Sequence, residues 1–160
     1  MTRTASAASL LHAAVQDLHA GKIDAADRLP AIAAQAHDAD LRSVLDDEVQ
    51  RARAQAARLA ACGVDASGPD NLWMKGILDD AERDGRSTEP GRLLDVALIG
   101  AIRKAKAAEI VSSETALALA AELGDAGLTG VVALNRDEEI ATDRALRDRL
   151  RALAGSTPQA

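Results

Sequence analysis

Residues 38–63, DADLRSVLDDEVQRARAQAARLAACG, carry a complete helix signature. An aspartate at 38 or 40 is placed to cap the start. Leu41, Leu45, Ala52 and Leu59 then recur at helical spacing on one side, and Gly63 stands where a left-handed C-terminal cap belongs. Nothing in the stretch alternates with the period of a strand. One residue breaks the stripe: Glu48 falls three after Leu45 and four before Ala52, which puts a carboxylate on the apolar side.

The same grammar extends in both directions. Upstream, a helix is expected over about 5–36, with Leu11, Val15, Leu18, Ala25, Leu29 and Ile32 as its stripe and a kink or break at Pro30. Downstream, the turn-rich segment 64–70 ends in Asp70, which can cap a short helix over 71–83 with Leu72, Trp73, Gly76 and Ile77 inward. Thr88-Glu89-Pro90 reads as the start of a third long helix running to about 123, with Leu94, Leu98, Ile102 and Ala116 on one side. Gly124-Asp125 reads as a stop and restart before a fourth helix over about 126–153.

Composition agrees. The 160 residues are 48% apolar and 28% charged, with 37 alanines and a single aromatic residue, Trp73. A core of Ala, Leu and Ile suits closely packed helices and lacks the aromatic and β-branched weight of a sheet protein. The long link between the second and third helices lets them start from opposite ends of a bundle. The expected fold is therefore all-α: a ferritin-like four-helix bundle with one long crossover carrying a short fifth helix. A single domain is expected over 1–154, with a flexible tail over 155–160.

The formal net charge of −6 argues against a nucleic-acid surface. No apolar run approaches a membrane span. Cys62 is the only cysteine, which excludes an intrachain disulfide and a thiolate zinc cage. The first fifteen residues make a poor signal peptide, and the expected setting is cytoplasmic.

Each long helix places charge on its inward stripe near mid-length. Lys22 lies four after Leu18, and Arg51 lies one turn beyond Glu48, with Gln55 following. Lys106 lies four after Ile102, with Glu109 three further on. In the last helix Asp137-Glu138-Glu139 interrupts a stripe of Leu128, Val131, Val132, Thr142 and Leu146. An isolated buried charge costs several kcal/mol, so such groups must be paired, bound to something, or led out to water on their long stems. Lys22, Arg51 and Lys106 set against Glu48, Glu109 and Glu138 give three of each sign, a set able to neutralise itself. His12, His19 and His37 read as surface or boundary residues, and Cys62 as a small packed apolar group. Arg144 to Arg151, interspersed with Asp143 and Asp148, read as a solvated, ion-paired face. No residue is assigned a catalytic role.

Several motifs in order resemble a known family. They are Asp17-Leu18-His19 with Leu29-Pro30, the segment from Leu41 to Leu59 with Gln55, and Trp73-Met74-Lys75-Gly76-Ile77-Leu78. Asp95-Val96-Ala97-Leu98-Ile99, Glu109-Ile110, and Asp137-Glu138-Glu139 with Ala141-Thr142-Asp143 complete the set. Over roughly 8–153 the chain resembles the YciE/YciF family of ferritin-like bacterial stress proteins. The resemblance implies a di-metal carboxylate centre in the bundle. It also implies a glutamate at position 22, a His-x-x-Glu pattern at 48 and 51, and an acid at 106. This chain has Lys22, Glu48, Arg51 and Lys106 there. The resulting expectation is a vestigial metal site rebuilt as a salt-bridge cluster of Lys22, Glu48, Arg51, Lys106, Glu109 and Glu138. On this reading the protein holds no cofactor and acts through structure or interaction, with a homodimer implied by the resemblance and the alanine-rich faces. Two alternatives stand beside it. One is an oxidase or ferroxidase holding iron or manganese on Glu48, Glu109, Glu138 and Glu139; the other is a small-anion binder using Lys22, Arg51 and Lys106.

Overall fold

The computed structural model describes residues 3–155, and within them all regular structure is helical. Helix α1 spans Ala7–Ala33, α2 Ala39–Ala61, α3 Leu72–Ser87, α4 Arg92–Leu123 and α5 Ala126–Gly155. Pro30 does not break α1. It sits in the last turn, so its missing N–H and its ring disturb only the end of the helix, which stops three residues later. Asp38 caps α2, accepting from the Leu41 amide at 2.8 Å, and Gly63 follows that helix with φ +82°. Gly124, at φ +72°, ends α4 in the same left-handed manner. Of the expected tail, Gly155 still belongs to α5 and the rest lies outside the described residues.

α1 pairs with α2 and α5 with α4, and these hairpins pack so that α1 meets α4 and α2 meets α5. The turn from α1 into α2 lies against the start of α4. The buried Asp95 carboxylate accepts from the backbone amides of His37 at 2.8 Å and Asp38 at 3.0 Å. Arg149, near the end of α5, pairs with Asp38 and Asp40 at that same end. α2 and α4 therefore run in the same direction, so the chain must return along the whole bundle between them. α3 makes that return over α1 and α4, completing the ferritin-like arrangement.

Two boundaries differ from expectation. The cap of α3 is Asn71, not Asp70. This fully buried residue accepts from the Met74 amide at 2.8 Å and donates from Nδ2 to the Asp17 carbonyl at 2.8 Å. An ionised aspartate has no hydrogen to donate. The one-residue shift turns the helix: Met74, Leu78 and Ala81 are buried, Leu72 is 79% exposed, and Trp73 and Ile77 are half-buried. The third long helix starts at Arg92 rather than at Thr88, because the Thr88 amide still closes α3 on Asp84 and Gly91 takes φ +118°.

Trp73 Nε1 donates to Asp17 Oδ2 at 2.8 Å, so α3 is pinned to α1 twice at Asp17, one turn before Gly21. A Cβ at Gly21 would lie 2.8 Å from Asn71 Nδ2. Gly21→Ala gains helix propensity but displaces a buried, doubly bonded cap. A net loss of about 1–2 kcal/mol is expected, measurable as a lower urea midpoint and a change in Trp73 emission.

Candidate functional site: a buried ionic layer

The apolar interior is cut in two. One cluster gathers Leu29, Ile32, Leu41, Leu45, Leu98 and Ile102 toward the α1–α2 turn, and a smaller one gathers Leu11, Val15, Leu18, Leu59 and Val132 toward the other end. Between them lies a layer of buried polar side chains contributed by all four long helices.

At its centre are two ammonium groups and three carboxylates, none more than 1% exposed as residues. Lys22 Nζ on α1 pairs with Glu139 Oε1 at 2.8 Å and closely with Glu109. Lys106 Nζ on α4 pairs with Glu109 Oε2 at 2.7 Å and closely with both Glu48 and Glu139. The second oxygen of Glu48 accepts from the Thr142 hydroxyl at 3.0 Å and is 3.3 Å from Arg51 Nη1. Arg51 also donates to the Thr142 oxygen at 2.5 Å while its side chain stays 32% exposed, so it closes the layer from the α2–α5 seam.

Four of the six expected cluster residues, Lys22, Glu48, Lys106 and Glu109, meet at the centre, and Arg51 meets Glu48 from the rim. Glu138 does not join them. It turns to the seam, pairing with Arg58 and accepting from Gln55 Nε2 at 2.9 Å. Glu139 takes the central place instead, for a readable reason: it lies seven residues from both Val132 and Leu146, which are buried on α5, whereas its neighbour points about 100° away. Other expectations shift too. His19 is buried, and Cys62 is exposed rather than packed. The roles of Asp95 and Asp17, and the second bond of Asn71, have no local signal, since each depends on a partner far along the chain.

The central charges do not balance without Arg51: two cations face three carboxylates. Burial raises the Glu109 carboxyl, and the like charge of Glu139 raises it further, to about 7 despite both lysines. Glu139 moves the other way. Burial opposes its ionisation, but Lys106 and Lys22 outweigh burial and hold its carboxyl well below the usual range. Burial also works against the Lys106 ammonium, yet Glu109, Glu139 and Glu48 together lift it well above its ordinary value. Glu109 is therefore the central acid that most readily holds a proton, and Glu139 the one that most readily stays ionised. A carboxyl raised on folding binds its proton more tightly in the native state. Its contribution is complete below the unfolded value of 4.5 and is lost as pH rises through about 7. Between pH 5 and 7.5 the unfolding free energy should fall by about 1–3 kcal/mol, and Glu109→Gln should flatten that slope. Urea titrations at the two pH values measure both.

Glu48, Glu109 and Glu139 also form a set, among the described residues, whose carboxylate oxygens come within 4.8 Å of one another. Three converging acids are a metal-like geometry, but here two ammonium groups are paired with them.

The family model described as "Domain of unknown function (DUF892)" matches residues 6–157. The chain belongs to this family. Its DUF892 bundle superposes on that of the Escherichia coli stress protein YciF with a TM-score of 0.91, covering 96% of this chain and 100% of the other at 21% identity. YcfI from Rhodopseudomonas palustris superposes with a TM-score of 0.84, covering 92% and 97% at 24% identity. Likeness at these identities establishes the fold, and the YciF match agrees with the YciE/YciF resemblance of the motifs. No curated protein sequence matches the chain significantly. Among the described residues of the DUF892 bundle, no helix is long and apolar enough to cross a membrane.

Proposed function

We propose that this chain is a stress-associated structural or interaction protein, in which buried lysine–glutamate pairs stand where the family resemblance implies a di-metal centre. The observation that carries this reading is the position of the two ammonium groups. Lys22 and Lys106 lie among the three carboxylates that would have to hold the ions. A di-iron site needs carboxylates from all four helices, usually with histidine. Here α1 contributes a lysine, α4 sets Lys106 beside Glu109, and among the described residues no histidine joins the cluster. Charged lysine cannot ligate and repels a dication. The donor set therefore does not fit two metal ions, and no reaction step is assigned to them.

YciF is described as a stress protein and YcfI as a proposed structural protein, and both descriptions are compatible with a bundle that works without redox chemistry. The reading carries a cytoplasmic, single-domain protein that self-associates through its alanine-rich helix faces. A small-anion role gains little support, because both buried ammonium groups are already engaged by carboxylates.

The test is elemental analysis of protein purified without chelator, followed by Fe(II) titration. Metal well below one equivalent per chain and no saturable uptake are expected. Stoichiometric iron or manganese that is lost in Glu139→Gln would overturn the proposal in favour of a metal oxidase.

A further inference from the structure

A buried oxygen beside the ionic layer is left without a hydrogen-bond partner. Gln55 is fully buried, and its Nε2 donates to Glu138 Oε2 at 2.9 Å and to the Asn135 carbonyl at 3.4 Å. Turning the amide over would set its oxygen against both acceptors, which fixes its orientation. Oε1 faces away from them and receives no hydrogen bond from any described residue. A buried acceptor in that state calls for a donor. Lys22 is short of the complementary group. Its ammonium carries three hydrogens, and its acceptors among the described residues are Glu109 Oε1 and Glu139 Oε1. Neither Lys22 nor Gln55 is more than 1% exposed, so bulk solvent serves neither.

Their separation decides what fits between them. Gln55 lies seven residues after Glu48, and Ser113 lies seven after Lys106. Glu48 pairs with Lys106 and their helices run in the same direction, so Gln55 and the buried Ser113 reach one common height further along the bundle. Lys22 enters between the two heights, at Glu109 and Glu139. The gap from its ammonium to the Gln55 amide is therefore about one helical turn, roughly 5 Å. Two hydrogen bonds of about 2.8 Å placed end to end span it. A bare cation cannot accept the Lys22 hydrogen, and a simple anion cannot donate to Gln55. We propose that one water molecule is bound here, accepting from Lys22 Nζ, donating to Gln55 Oε1 and turning its second hydrogen toward Ser113. The site requires Lys22 in the layer and is independent of any stress-associated role. Through a single amide it ties the buried ammonium to the Arg58–Glu138 pair at the α2–α5 seam.

The test is oxygen-17 relaxation dispersion on the full chain, which counts waters held longer than the molecule takes to tumble. The parent chain should hold one more such water than Gln55→Met, whose side chain fills the same space without an amide oxygen. Amide NMR spectra report whether the variant bundle is intact. A crystal structure of the parent chain gives a second reading that does not depend on how the variant folds: a water within hydrogen-bond distance of both Lys22 Nζ and Gln55 Oε1 is expected. An equal count of long-lived waters in the folded variant would overturn the proposal. So would a crystal in which Lys22 Nζ donates directly to Gln55 Oε1, or in which the space between them is dry.

Discussion

Replacing Lys106 by methionine is expected to lower the unfolding free energy by about 3–5 kcal/mol, the usual consequence of removing one member of a buried ion network. Lys106 is the one ammonium in contact with all three central carboxylates, Glu48, Glu109 and Glu139. Methionine matches its length and fills the space, so lost van der Waals contact contributes little. What remains is three buried acids with Lys22 and the rim guanidinium of Arg51. A second carboxyl besides Glu109 must then take up a proton or draw in water. Stability of the variant should therefore rise on acidification more steeply than that of the parent chain. Adding Glu139→Gln to Lys106→Met should recover part of the loss, since it removes an acid that has lost its strongest partner. Urea unfolding of the parent, the single and the double variants at pH 5 and pH 7.5 checks each statement. A loss below about 1 kcal/mol in the single variant would show that Lys106 does not compensate buried charge.

Converting Lys22, Arg51 and Lys106 together to glutamate should have the largest effect. Three cations become three anions in and beside a layer that already holds Glu48, Glu109 and Glu139. At pH 7 without metal the variant should lack a cooperative unfolding transition, because mutual repulsion across the bundle exceeds the few kcal/mol by which a domain of this size is stable. Manganese(II) should restore the transition with a saturable rise in Tm, worth about 2.7 kcal/mol once the free ion exceeds its Kd a hundredfold. The parent chain should show no such rise. A variant that stays unfolded at every metal concentration would count against the idea that these positions surround a former metal site.

The sign of the pH response separates this protein from one held by simple surface pairs. Asp38, lowered chiefly by its hydrogen bond from Arg149, supports stability that is lost only in acid, as pH falls below about 3.8. Glu109 acts in the opposite sense and in a different window, between 4.5 and about 7. The two contributions can be measured on one chain without overlap.

Helix number, order and most boundaries are legible because caps, glycine stops and apolar spacing are local signals. Leu41 to Leu59 between Asp38 and Gly63 is the clearest example. The α3 cap shows the limit of such signals. Asp70 and Asn71 are both good caps in isolation, and only the buried carbonyl of Asp17 selects the residue that can also donate a hydrogen. The acid of α5 is ambiguous for a related reason. Asp137, Glu138 and Glu139 all interrupt the stripe when it is taken broadly, and only the seven-residue spacing to Val132 and Leu146 distinguishes the third.

What the sequence determined alone was that four long helices must come together and that each carries charge into the interior, since periodicity fixes which residues share a face. What the tertiary structure decided was which charges meet. Pairing depends on the rotation and depth of helices brought together by the long return through α3. That geometry placed Lys106 among three carboxylates, left Arg51 at the rim and sent Glu138 to Arg58. Coulomb energy falls with distance and rises in a dry interior, so a displacement of one residue separates a core ion pair from a surface one.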